Sequence, residues 1–201
     1  MEENNQYSFQ KYVYFLRWVS YWHQINEVLK LNPKNILIIG KGDGIVGEIL
    51  KKYVSRAQTL DLEKKLNPEI IGSVENIPLQ NNSFDLILCT EVLEHLLFEK
   101  FEKSLSELKR VTKKYVILSL PHFGPPIKLS FKIPFLKEIK IAFKISYLVK
   151  HKTNGEHYWE IGKRGYQSSK IRKIIKRYFK IKKEFIPFEN QYHHFYVLEK
   201  L

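Results

Sequence analysis

The chain holds one cysteine, Cys89, among 201 residues. A lone thiol cannot close an intramolecular disulfide or build a cysteine-rich zinc site, and it fits a reducing compartment. Long apolar runs are missing as well, none approaching the ~20 residues of a membrane span. The opening MEENNQYSFQ is acidic and polar and lacks the pattern of a secretory signal. Together these absences predict a cytoplasmic protein. Arginine is scarce, six of 34 basic residues, yet the 21 acidic residues leave a formal net charge of +13. Such a charge admits nucleic acid or an anionic membrane surface as partner. Few arginines argue against phosphate recognition, which the planar guanidinium fork serves best.

What is present sorts into elements. The length is that of one ordinary domain with enough chain to bury a core. Residues 11–31 carry Tyr14, Phe15, Trp18, Trp22, Ile25, Val28 and Leu29 at helical spacing, ended by NPKN. Strand-like and helix-like stretches then alternate: NILII (35–39), a helix from Val46 to Tyr53, AQTLDL (57–62), EIIGSV (69–74) and FDLILCT (84–90). A two-part helix from Glu91 to Lys109 and the strand YVILSLP (115–121) complete the series. Near-continuous apolar strands between helices predict an α/β fold with a parallel sheet. Further on, SSKIRKIIKRYF predicts a helix with Ser168 or Ser169 as N-cap. The strands IKKEFIPF and HHFYVLEK, joined through ENQY, predict an antiparallel hairpin.

Four glycines, at 40, 42, 44 and 47, follow the first strand. Glycine adopts positive φ and lets a ligand approach the backbone where a Cβ would collide. Nucleotide-like ligands sit at that edge of a parallel sheet. Asp61 ends the next strand, 17 residues after Gly44, where a carboxylate can take both hydroxyls of a ribose. The spacing Gly42-x-Gly44-x-x-Gly47 fits a dinucleotide and hence NAD. The spacing Gly40-x-Gly42-x-Gly44 fits a loop for S-adenosylmethionine, and it is favoured because Gly40 follows Ile39 directly.

With ILIIGKGDG and TLDL, the block GSVENIPLQNNSFDLILCTEVLEHL (72–96) resembles the class I S-adenosylmethionine-dependent methyltransferases, specifically the type 11 group. The likeness covers about residues 35–121 and continues loosely beyond. It implies a Rossmann-like, mostly parallel seven-stranded sheet with a C-terminal antiparallel hairpin, and S-adenosylmethionine as cofactor. It places Gly40, Lys41, Gly42 and Gly44 around the methionine and ribose, and Asp61 on the ribose hydroxyls. Ser73 and Val74 fall beside adenine, with Thr90 and Glu91 where the fourth strand opens into the site. Three positions depart from the family's pattern. Ile38 stands where an acid is usual, Ser73 where an aspartate is usual, and Asp43 where a small neutral residue is usual.

Methyl transfer from a sulfonium is an in-line displacement in which positioning supplies most of the rate. A general base adds to it when the acceptor is a hydroxyl. His122, directly after the fifth strand, and His157 in NGEHYWEIG are the candidate bases. Glu91, Glu94 and His95 share one face of a helical turn, a spacing seen in metal sites, but the preferred reading is structural and no metal is assigned. Residues 127–152 hold seven lysines against one acid, Glu138, with alternating apolar positions that fit extended chain or, through Phe135, Ile139, Phe143 and Tyr147, a helix. That segment predicts either a lid over the acceptor or a surface for anionic lipid.

The whole, 1–201, reads as a single methyltransferase domain: an N-terminal helical segment to residue 32, a cofactor core at 33–121, a lid or acceptor insertion at 122–162, and a helix and hairpin at 163–201. The expected function is methyl transfer to a small-molecule, sugar or lipid-linked acceptor. The alternatives are an RNA methyltransferase using the basic stretch 163–183, or a cofactor-binding protein without turnover.

Overall fold

The computed structural model describes residue 7 and residues 9–145, 149–153 and 155–201. Two helices come first, α1 (Phe9–Tyr12) and α2 (Phe15–Leu31), where the sequence predicts one. Asn32 closes α2 in the left-handed conformation at φ 47, which asparagine tolerates as a C-cap. The strands β1 (Asn35–Ile39), β2 (Arg56–Asp61), β3 (Ile70–Ile71), β4 (Phe84–Thr90) and β5 (Thr112–Pro121) follow, with α3 (Ile45–Leu50) and α4 (Phe101–Val111) between them. Beyond them lie β6 (Pro126–Phe131), β7 (Ile139–Lys144), α5 (Ser168–Ile175), β8 (Phe179–Phe185) and β9 (His193–Lys200).

Seven strands form one sheet in the order β3-β2-β1-β4-β5-β9-β8. The pairs from β3 to β5 are parallel, and β9 runs antiparallel to both β5 and β8. The expected Rossmann-like sheet with its antiparallel end is therefore present. Side-chain alternation splits the core between its faces. Leu37, Ile39, Ile87, Cys89 and Leu118 pack under α4 and α5, while Ile36, Ile38, Leu86, Leu88 and Ile117 pack under α2 and α3. Each such aliphatic side chain, once buried, contributes about 1.5–3 kcal/mol.

Two expectations need correction. The two-part helix from Glu91 is instead two 3₁₀ turns, Leu93–His95 and Phe98–Lys100, before α4. Glu91 itself is left-handed at φ 53, so no α-helix can begin there. The N-cap of α5 is Gln167, not Ser168 or Ser169, and its side chain makes no capping bond. Of the two alternatives for the insertion, the extended one is present, since β6 and β7 pair as a separate two-stranded sheet. Tyr147 of the helical alternative lies outside the described residues. Among the described residues, no helix is long and apolar enough to cross a membrane.

Candidate active site

The chain steps from β1 to β2 and β3 on one side and returns through β4 and β5 on the other, so the order reverses between β1 and β4. Ligands of open α/β sheets bind at the carboxyl ends beside such a reversal. The glycine loop leaves β1 at that point. Gly40, Gly42 and Gly44 have φ of 81°, 56° and 79°, values that a side chain would strain. A Cβ on Gly40 would also lie 2.6 Å from Val92 Cγ2. Gly42 and Gly44 instead face space, the nearest atoms to an added Cβ being Tyr12 Oη at 3.9 Å and Lys41 Cε at 3.8 Å.

Asp61 is tied into this loop. Its Oδ2 accepts from the Lys41 amide at 2.7 Å and its Oδ1 from the Glu63 amide at 2.9 Å. A carboxylate has about four acceptor sites, so two amides leave capacity for two ribose hydroxyls. The Gly72 amide bonds to the Asp61 carbonyl at 3.1 Å, which brings the turn at Ser73 and Val74 to the same edge. The Ser73 hydroxyl accepts from the Glu75 amide at 3.1 Å, and Val74 is buried. Thr90 ends β4 beside β1, and Glu91 follows, its Oε1 accepting from Ser119 Oγ at 2.7 Å. Glu91 Oε2 lies 3.5 Å from His193 Nε2. The nine residues assigned to the cofactor thus share one edge, spread over the ends of β1 to β4. A loop of left-handed glycines with a carboxylate held at its rim fits an adenosine ligand.

The N-terminal segment roofs the loop, a feature that sequence reasoning missed. Tyr21 Oη donates to Asp43 Oδ2 at 2.5 Å, and Asp43 Oδ1 accepts from the Ile45 amide at the start of α3. Asp43 is therefore a structural clamp in this arrangement. Burial first, then Tyr12, Glu63 and Asp61, push the Tyr7 phenol up to about 12. Arg17 stacks its guanidinium 4.2 Å from the Tyr12 ring centre, and its buried Nε has no hydrogen-bond partner. An under-satisfied guanidinium beside a ligand loop is suited to a carboxylate. The helical spacing of α2 gave no hint of it, because Arg17 reads as one solvated position among aromatics.

His122 and His157 fall into two adjoining clusters at the β5–β9 side of the same edge. His122 Nδ1 lies 3.0 Å from His194 Nδ1, the rings stacked, and His194 Nε2 lies 2.8 Å from Glu184. Burial, then Lys144 and His194, lower the His122 pKa to about 3, leaving it neutral but weakly basic at physiological pH. These residues line a cavity of about 590 Å³ between the base of the β6–β7 hairpin and α5, with Lys144, Ser168 and Arg172. Lys144 donates to the His122 carbonyl, and burial lowers its pKa to about 8.

His157 lies 3.3 Å from Glu160 Oε1, which also accepts from Tyr192 Oη at 2.6 Å. Burial raises the Glu160 carboxyl, but those hydrogen bonds more than offset it and hold the group ionised. His95 meets His157 edge-on, with ring centres 5.0 Å apart. Beneath them Glu94 is fully buried with neither carboxylate oxygen hydrogen-bonded, and burial, then Glu91, push its pKa well up. Glu94, His95 and His157 offer three donor atoms within 4.8 Å of one another. Glu91 is not among these donors, since its carboxylate turns to Ser119 and His193, but its charge still reaches Glu94.

Two buried histidines and a half-buried one predict acid sensitivity. Burial is the largest cause lowering His122, His193 and His194 alike. As pH falls from about 6.5 towards 3, the unfolded chain takes protons that the folded chain refuses. Stability present above pH 6.5 is then lost, at roughly 1.4 kcal/mol per pH unit for His122, with His193 and His194 adding loss in the same direction. The melting midpoint at pH 5 is expected several degrees below that at pH 7, with His122→Asn narrowing the gap. Identical midpoints at the two pH values would contradict this.

The basic stretch 163–183 is partly neutralised. Arg172 bonds to both oxygens of Glu184 at 2.8 Å, Arg177 pairs with Glu102, Lys182 with Glu199 and Lys183 with Glu27. That leaves less free charge for a phosphate backbone.

A family described as "Methyltransferase domain" matches residues 37–120. A ubiquinone biosynthesis O-methyltransferase of Hydrogenovibrio crunogenus is 28% identical over 87 residues, 36% of each chain. An uncharacterised protein of Methanocaldococcus jannaschii is 30% identical over 105 residues, 46% of this chain and 44% of its own. The chain thus spans less than half the length of these curated relatives. Among solved structures, N-methyltransferase NodS of Bradyrhizobium japonicum with S-adenosyl-L-homocysteine superposes with a TM-score of 0.66 at 9% identity, covering 99% of this chain and 93% of that one. This last likeness is one of fold.

Proposed function

We propose that this chain, whose residues 37–120 match a methyltransferase domain, is a class I S-adenosylmethionine-dependent methyltransferase that transfers a methyl group to a small-molecule, sugar or lipid-linked acceptor. The observation that carries this reading is the loop of left-handed glycines tied to Asp61 at the reversal of strand order. When bound, the cofactor supplies an activated methyl group on a sulfonium. Asp61 would hold its ribose, Ser73 and Val74 would flank its adenine, and the amides of the 40–44 loop would line the methionine. Arg17 would receive the methionine carboxylate. Family members usually keep an acid where Ile38 stands; here Ile38 is buried in the core and offers the ammonium nothing.

The acceptor would enter through the cavity beside His122, whose volume falls within the range of small-molecule pockets. Of the two candidate bases, His122 lines that cavity, whereas His157 has the carboxylate partner. Glu160 stands behind its ring and would stabilise the imidazolium formed when it takes a proton. His122 has only His194 and a nearby lysine.

Titration calorimetry with S-adenosylhomocysteine, followed by turnover of a methyl-labelled donor across an acceptor panel, tests this proposal. No heat of binding would overturn it, and binding without turnover on any acceptor would favour a non-catalytic role. On a hydroxyl acceptor, His157→Gln is expected to lower kcat about 10²-fold or more while leaving product affinity intact. His122→Asn should change kcat far less. Loss of activity on chelation would instead assign Glu94, His95 and His157 to a divalent cation.

A further inference from the structure

The β6–β7 hairpin presents one entirely apolar face that nothing among the described residues covers. Cross-strand pairing sets Ile127 opposite Phe143, Leu129 opposite Ile141, and Phe131 opposite Ile139. All six are between 40% and 60% exposed. The tip continues the patch with Ile133 and Leu136, each 60% exposed, and with Phe135, fully exposed and left-handed at φ 68. The exposed apolar area is on the order of several hundred Å², at or beyond what soluble monomers usually show in one patch.

The other face of the hairpin is cationic and turned to the body. Lys128 donates to the Glu189 carbonyl at 3.1 Å, Lys140 pairs with Glu189 Oε1 at 2.9 Å, and both lie over the Phe188 ring. With Lys144 held by the His122 carbonyl, the hairpin is pinned lysine side inwards. A lid would need the greasy side inwards. Lys132 and Lys137 flank the tip, and over residues 127–152 seven lysines face one acid.

We infer that this hairpin docks the protein on an anionic bilayer. The apolar face and the Phe135 tip enter the boundary between headgroups and acyl chains, and the flanking lysines meet lipid phosphates. Charge selects this occupant over a second copy of the chain, because apposed copies would bring two lysine-rimmed patches of like sign together. The hairpin springs from the carboxyl end of β5, so docking presents the glycine-loop edge of the sheet to the membrane. The inference stands on the hairpin alone and does not depend on methyl transfer.

Sedimentation with vesicles of phosphatidylcholine, with and without phosphatidylglycerol, tests it. The protein is expected to sediment with the anionic vesicles and to be released as salt rises. Leu129→Asp with Phe135→Asp should lower partition about tenfold or more, with the melting midpoint unchanged. As a second probe, Phe135→Trp should keep binding and give blue-shifted emission on anionic vesicles only. The inference fails if neither vesicle carries the protein down, if the double aspartate variant still sediments, or if the tryptophan emission does not move. It also fails if sedimentation velocity without lipid shows a dimer that the aspartates dissolve.

Discussion

Asp61→Ala is expected to lower affinity for S-adenosylhomocysteine by about 10²-fold or more. Hydrogen bonds to a charged partner are worth about 1.5–3 kcal/mol each, two ribose hydroxyls are at stake, and every 1.4 kcal/mol is tenfold. The carboxylate also fastens the Lys41 amide at 2.7 Å, so its loss loosens the loop. Asp61→Asn keeps the shape and one good acceptor and should lose less. Gly40→Ala probes the same loop by sterics, since its Cβ would lie 2.6 Å from Val92 and left-handed backbone costs a side chain about 1–2 kcal/mol. Calorimetry reads both variants. Affinity unchanged by Asp61→Ala would remove the ribose from that carboxylate.

Trp159→Ala is expected to lower the unfolding free energy by about 3–5 kcal/mol. Trp159 is among the largest fully buried side chains, its ring 5.0 Å from Phe98 and 5.1 Å from Phe101, centre to centre. Its Nε1 donates to the partly buried Leu96 carbonyl at 3.1 Å, and truncation would remove that donor. The same side chain anchors the segment carrying His157 and Glu160, so turnover should fall along with stability. Trp159→Phe should recover part of both. Urea unfolding measures the change, and an unshifted midpoint would mean that the segment is held by other contacts.

The parallel half of the sheet was legible because NILII and FDLILCT are apolar runs bounded by turns, and both strands match their stretches residue for residue. HHFYVLEK was equally clear. Legibility failed where tertiary contacts override local pattern. EVLEHL carries helical spacing, but left-handed Glu91 is held by Ser119 and lies near His193, residues from other strands, and so the stretch becomes a 3₁₀ turn. In NGEHYWEIG nothing local marks Trp159 as core; that depends on Phe98 and Phe101, some sixty residues away. The glycine loop and Asp61 could be named from spacing alone. Arg17 could not, since its setting is made by Tyr12 lying against the loop.

The place of β9 between β5 and β8 has a consequence for biogenesis. This strand leaves the ribosome after every other strand of the sheet, yet it must slot into the middle of its antiparallel half. Until it arrives, the nascent chain carries a finished parallel half whose β5 edge shows unpaired amides and carbonyls. That interval, rather than the mature protein, is when a chaperone would be needed most.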